Sequence, residues 1–164
     1  MITLVLGGAR SGKSAVAERL AERLAHGSVT YVATGVATDG DMAARIAAHR
    51  ARRPPGWSTV EAAGGDLQAL LCSTRGVVVL DALGTWMAAA ADFAVDADGL
   101  CRALVGREGD TVVVSEEVGL GVHPSTDVGR RFRDALGTLN EQVASVADDV
   151  LLVVAGRSLA LERP

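Results

Sequence analysis

The sequence predicts an α/β sandwich built on a mostly parallel sheet. Short apolar runs alternate with amphipathic segments along the whole chain. Two of the runs, GVVVLD at 76–81 and TVVVS at 111–115, are apolar almost throughout, as strands covered on both faces are. A glycine-rich turn, GGARSGKS, separates the first apolar run from the first amphipathic segment.

The elements follow in order. Residues 2–6 form a short strand that stops at Gly7-Gly8. Residues 14–25 carry helical spacing through Val16, Leu20 and Leu24. A second strand at 29–33 ends at Thr34-Gly35, and a helix from about residue 39 to 53 is closed by Pro54-Pro55. A short strand at 58–61 and a helix at 66–73 precede the strand GVVVLD. Helical patterns at 83–91 and 100–105 precede TVVVS. The longest helix spans 127–147, and the last strand 150–155.

A chain of 164 residues fits one domain with a real core, and neither a repeat nor a linker divides it. Net charge is −4, which argues against a general nucleic-acid binder, because neutralising phosphates needs a basic surface. With 3% aromatic residues there are few platforms on which bases could stack. No apolar run has membrane-spanning length, and no basic leader precedes the first strand, so the expected location is the cytoplasm. Cys72 and Cys101 have no zinc-type spacing and are expected to be reduced and packed.

In parallel α/β sheets ligands sit at the carboxyl ends of the strands. GGARSGKS stands there and fits G-x-x-x-x-G-K-[ST] between a strand and a helix. Gly7, Gly8, Ala9, Arg10, Ser11, Gly12, Lys13 and Ser14 are therefore the candidate nucleotide-binding loop of a P-loop NTPase. Glycines let the backbone amides turn around a phosphate, and the helix aims its positive end at the same place. Lys13 would reach the outer phosphates and Ser14 would ligate Mg²⁺. Lys13 is the only lysine in the chain; every other cationic side chain of the Lys/Arg type is arginine.

Asp81 closes VVVLD as a Walker B aspartate does and is the second candidate metal ligand, beside the loop if the two strands are neighbours. Capping of the helix at 83–91 is the alternative. Glu116 and Glu117 end another strand at the same edge, where helix entry or solvation would serve equally well. Glu61 ends the short third strand.

The stretch DMAARIAAHRARRP at 41–54 places Met42, Ile46, His49 and Arg53 on one helical stripe. Spacing alone leaves two readings open. His49 is a partly buried histidine among solvated arginines, or it is a neutral imidazole near a triphosphate. In the second case the cations disfavour the imidazolium and preserve a lone pair that can attack phosphorus.

Taken together, GGARSGKS, YVATG, DMAARIAAHRARRP, VVVLDALGTW, SEEVGLGVHP, GRRFRDALGTLNEQVA and ADDVLLVVAG run nearly end to end in an order and spacing that is specific. With these segments the chain resembles the bifunctional adenosylcobinamide kinase/adenosylcobinamide-phosphate guanylyltransferases of cobalamin biosynthesis. The resemblance implies a RecA-like fold, a homotrimer and two steps. ATP or GTP phosphorylates the hydroxyl of the cobinamide aminopropanol arm. A histidine then takes GMP from GTP and passes it to the new phosphate, giving adenosylcobinamide-GDP. By the same matching His49 is the guanylylated residue. Ala33, Thr34, Gly35, His49, Arg50, Ala51, Arg52, Glu61 and Asp81 correspond to GTP-contacting positions. Many members carry Asn-Glu-Val-Gly where this chain has Glu116-Glu117-Val118-Gly119, and the stretch between Asp81 and Thr111 is short. His123, before Pro124, is read as structural or substrate-facing. A single-function P-loop kinase would use Lys13, Ser14 and Asp81 and leave His49 idle. A regulatory GTPase is opposed by the missing NKxD, since Asn140 is the only asparagine. A RecA-like DNA-binding ATPase is opposed by the acidic charge.

Overall fold

In the computed structural model the described residues are 1–35, 47, 53–62 and 66–163. The elements are β1 (Ile2–Gly7), α1 (Lys13–Leu24), β2 (Val29–Ala33), β3 (Ser58–Glu61), α2 (Leu67–Ser73), β4 (Val77–Asp81), α3 (Leu83–Ala88), a 3₁₀ turn (Ala91–Phe93), α4 (Ala97–Gly106), β5 (Thr111–Glu116), α5 (Asp127–Val146), β6 (Asp149–Val154) and β7 (Arg157–Leu161). The helix expected over residues 39–53 lies outside the described residues, apart from Ala47, which is helical, and Arg53, which lies in a bend beyond any described helix.

Among the described residues seven strands form one sheet in the order β3-β2-β4-β5-β1-β6-β7. Every pairing is parallel except the terminal hairpin of β6 with β7. The apolar runs read as continuous because both faces of the central strands are covered. Val5, Val77, Val79, Val112 and Val114 pack with Val16, Ala17 and Ala21 of α1 on one face. Leu4, Leu6, Val78, Leu80 and Val113 pack on the other with Leu67, Leu71, Leu83, Leu100, Leu104 and the Leu136/Leu139/Val143 stripe of α5. The two sets alternate along each strand, as a two-residue side-chain period requires.

Helix starts follow local chemistry. Asp66, Asp96 and Thr126 each accept a hydrogen bond from the backbone N–H three residues on, capping α2, α4 and α5. Asp96 explains why α4 begins before the predicted residue 100. The helix predicted over 83–91 stops at Ala88 and gives way to the 3₁₀ turn.

Two expectations are corrected. The strand expected over 150–155 is not the last: β7 follows it after Ala155 and Gly156, whose φ values of +51° and +75° suit a two-residue hairpin turn. All five β7 residues are exposed, so no buried apolar run marked it. Cys72 is exposed rather than packed, because it lies on the outer side of α2; Cys101 is partly buried against the core, and both are free thiols. Among the described residues no helix is long and apolar enough to cross a membrane.

Candidate active site

β1 delivers Gly7 to the carboxyl edge of the sheet, and α1 starts at Lys13. Gly12 makes the turn at φ +91°, a left-handed conformation that a side chain would strain. Among the described residues no side chain caps α1, whose N-cap is Gly12, and no acidic residue stands in its first turn. Its first N–H groups and its positive dipole end are thus left for an anion. The loop is tied down from within and from outside. Ser11 N–H donates to Gly8 O at 3.2 Å, and Gly156 N–H, in the β6–β7 turn, donates to Ser11 O at 2.7 Å. Ser11 Oγ is buried and has no hydrogen-bond partner among the described residues. Such an orphaned polar atom inside a phosphate loop fits a site completed by ligand.

The strand order corrects the expected neighbourhood of Asp81. β5 lies between β1 and β4, so Asp81 is one strand removed from the loop strand. It stands level with Ala33 of β2 and Val114 of β5. The carboxylate next to the loop is that of Glu116, in register with Gly7. Its Oε1 lies 3.6 Å from Lys13 Nζ. Its Oε2 accepts the Gly84 N–H at 3.1 Å. A Cβ at position 84 would fall 2.2 Å from Oε2, so a side chain there would displace the Glu116 carboxylate from this N–H. Asn140 fixes this strand end from α5: Ser115 Oγ–H donates to its Oδ1 at 2.6 Å, and its Nδ2 donates to Glu116 O at 3.0 Å.

Asp81 has its own support. The buried Tyr31 hydroxyl donates to Asp81 Oδ2. The Arg53 guanidinium carbon sits 3.4 Å from the Tyr31 ring centroid, and its Nη1 donates to Thr59 Oγ1 at 2.9 Å. Burial first, then the Asp81 charge, pushes the phenol above its ordinary pKa, so it stays a proton donor to Asp81. Thr34 is buried with its hydroxyl engaged on the turn after β4. Its Oγ1 donates to Ala82 O at 2.6 Å and accepts from Ala82 N–H at 2.9 Å. Thr34 therefore braces the strand end that carries Asp81. Glu61 closes β3 and stands level with Ala33.

The structure thus brings Gly7–Ser14, Ala33, Thr34, Gly35, Glu61 and Asp81 to one edge of the sheet. His49, Arg50, Ala51 and Arg52 lie outside the described residues. Sequence reasoning left Glu116 undecided and missed Asn140 and the β6–β7 turn. The signal for Glu116 was its strand-end position; Asn140, on a helix 24 residues later in the chain, gave none. His123 pairs its Nδ1 with Arg133 Nη1 at 2.9 Å, an exposed contact between the loop after β5 and α5.

A phosphate loop on β1, an interposed β5 and an aspartate ending β4 define a P-loop NTPase with a RecA-like sheet. In keeping with this, an ATPase from the type III secretion system of pathogenic bacteria superposes with a TM-score of 0.57 over 97% of this chain, at 12% identity. The chain spans 56% of that protein's length, and the likeness is one of fold. Residues 3–161 match the family described as cobinamide kinase / cobinamide phosphate guanyltransferase, CobU, and the chain belongs to that family. It is 40% identical to the bifunctional adenosylcobalamin biosynthesis protein CobP of Pseudomonas aeruginosa, over 99% of this chain and 98% of the relative. It is 38% identical to the bifunctional adenosylcobalamin biosynthesis protein CobU of Salmonella typhimurium, over 95% of this chain and 97% of that one.

Proposed function

We propose that one nucleotide site, centred on residues 7–14, serves both reactions of the family within a single catalytic domain spanning the chain. In the first, the aminopropanol hydroxyl of adenosylcobinamide attacks the γ-phosphorus of ATP or GTP. An O–P bond forms, the bond to the β-phosphate oxygen breaks, and the hydroxyl proton is released. Little covalent chemistry is asked of the protein here; positioning and charge stabilisation carry the step. The loop amides and the uncapped start of α1 hold the phosphates, and Lys13 meets the charge that develops on the outer ones.

In the second reaction neutral His49 attacks the α-phosphorus of GTP and displaces pyrophosphate, leaving GMP on the imidazole as a phosphoramidate. A phosphate oxygen of adenosylcobinamide phosphate then attacks the same phosphorus, frees His49 and yields adenosylcobinamide-GDP. Ala33, Thr34, Gly35, Arg50, Ala51, Arg52 and Glu61 are assigned to the guanine nucleotide.

The Ser14 hydroxyl and the Asp81 carboxylate are of the kind that hold Mg²⁺, which typically takes one or two protein oxygens beside substrate phosphates. When bound, the ion would neutralise charge on the β- and γ-phosphates. Tyr31 orients the Asp81 carboxylate for that role.

The observation that carries this reading is the uncapped N-terminus of α1 with Lys13 at its first position and three carboxylate-bearing strand ends, Glu61, Asp81 and Glu116, on the same edge. Paired variants test it. Lys13→Ala is expected to lower γ-phosphoryl transfer to adenosylcobinamide by at least about a hundredfold. His49→Ala is expected to retain kinase activity and to lose formation of adenosylcobinamide-GDP. Loss of neither activity in Lys13→Ala contradicts the site; loss of both in a folded His49→Ala makes His49 a nucleotide-positioning group. A homotrimer is part of the same proposal, and sedimentation of the full chain reads it.

A further inference from the structure

We propose that Glu116 is a positioning and selectivity residue of the phosphate site: it holds the Lys13 ammonium and biases the loop toward metal-complexed rather than free triphosphate. The inference rests on residues 7–14 being the phosphate site. Glu116 is clamped rather than loosely placed. One carboxylate oxygen takes the Gly84 N–H and the other faces Lys13 Nζ, while Asn140 holds the backbone carbonyl and the next N–H, that of Glu117, donates to Gly7 O at 3.1 Å. The side chains of Lys13 and Glu116 are only 12% and 28% exposed, so the pair is partly shielded from solvent screening.

The consequence is electrostatic. An ammonium that would face the outer phosphates already has a carboxylate 3.6 Å away. That carboxylate repels a free triphosphate, which carries about four negative charges, more than its divalent-metal complex, which carries about two. Glu116 therefore costs the free nucleotide more than the complex. It also gives Lys13 a fixed resting position, which reduces the reorganisation needed when phosphate arrives.

Binding of α,β-methylene GTP, which resists loss of its terminal pyrophosphate analogue, tests this by calorimetry with Mg²⁺ and with EDTA. Wild type is expected to prefer the Mg²⁺ complex. Glu116→Gln keeps an acceptor for the Gly84 N–H but removes the charge. It is expected to shrink the preference about five-fold by tightening the free nucleotide, the size of one partly screened charge interaction. Glu116→Asp, which keeps the charge, is expected to preserve most of the preference. Turnover should divide accordingly: in Glu116→Gln the nucleotide KM changes little while kcat falls, because Lys13 loses its fixed position. An unchanged preference in folded Glu116→Gln overturns the proposal. So does a weakened Mg²⁺ complex with unchanged free-nucleotide binding, which would make Glu116 a metal ligand. Lys13→Ala separates the underlying reading: wild-type affinity in that variant would refute the phosphate site itself.

Discussion

Tyr31 is the chain's single tyrosine, and its hydroxyl is committed to Asp81. Burial, then the Asp81 charge and hydrogen bond, raise its pKa above the ordinary 10.0. An ionisation raised by folding favours the protonated folded state. That contribution is complete below about pH 10 and is lost as the pH climbs toward the folded-state value. Tyrosinate absorbance should therefore appear at higher pH in the native protein than in a free tyrosine derivative. Asp81→Asn should move it back part of the way, because burial remains; titration at the ordinary tyrosine pH would contradict the contact. The thiols give a second check. Burial raises the Cys101 pKa, whereas Cys72 is exposed, so iodoacetamide is expected to modify Cys72 first. Peptide mapping of partly alkylated protein reads the order. The Tyr31–Asp81 contact was not legible in sequence, since the two residues stand 50 positions apart and meet only through the pairing of β2 with β4.

At the scale of elements, α5 does more than cover the sheet. Its buried stripe includes Asn140 among Leu136, Leu139 and Val143. The apolar members follow helical spacing and were legible; the polar one was not, because its partners are the Ser115 hydroxyl and the Glu116 carbonyl on another element. Asn140→Ala strands both groups and should cost about 2 kcal/mol, read as a lower urea midpoint at unchanged slope. Strand positions were predicted well wherever both faces are buried, as in β1, β4 and β5. β7 escaped because an exposed edge strand leaves no apolar run, although Arg157, Leu159 and Leu161 alternate with Ser158 and Ala160. The hairpin it forms with β6 reaches the phosphate loop through the Gly156–Ser11 hydrogen bond. An element that sequence left out thus borders the site.

Across the whole molecule, the strand alternation gave the fold class and put every candidate carboxylate on one edge, but not the order of the strands within it. Parallel strands joined by helices can neighbour one another in several orders, and nothing local in the chain chose the one that inserts β5 between β1 and β4. That insertion moved Glu116 beside Lys13 and Asp81 one strand away. The phosphate loop was legible because its chemistry is contiguous, from Gly7 to Ser14. The role proposed for His49 rests on resemblance alone, since helical spacing supports a packed histidine as readily as a nucleophile. The proposed covalent passage of GMP through His49 is open to direct measurement. The protein is incubated with Mg²⁺ and GTP labelled at the α-phosphate, then examined for label that survives base and is released by acid, as a phosphoramidate is. Stoichiometric acid-labile label in wild type and none in folded His49→Ala is the expected result. No label in wild type, or label that persists in His49→Ala, would contradict it.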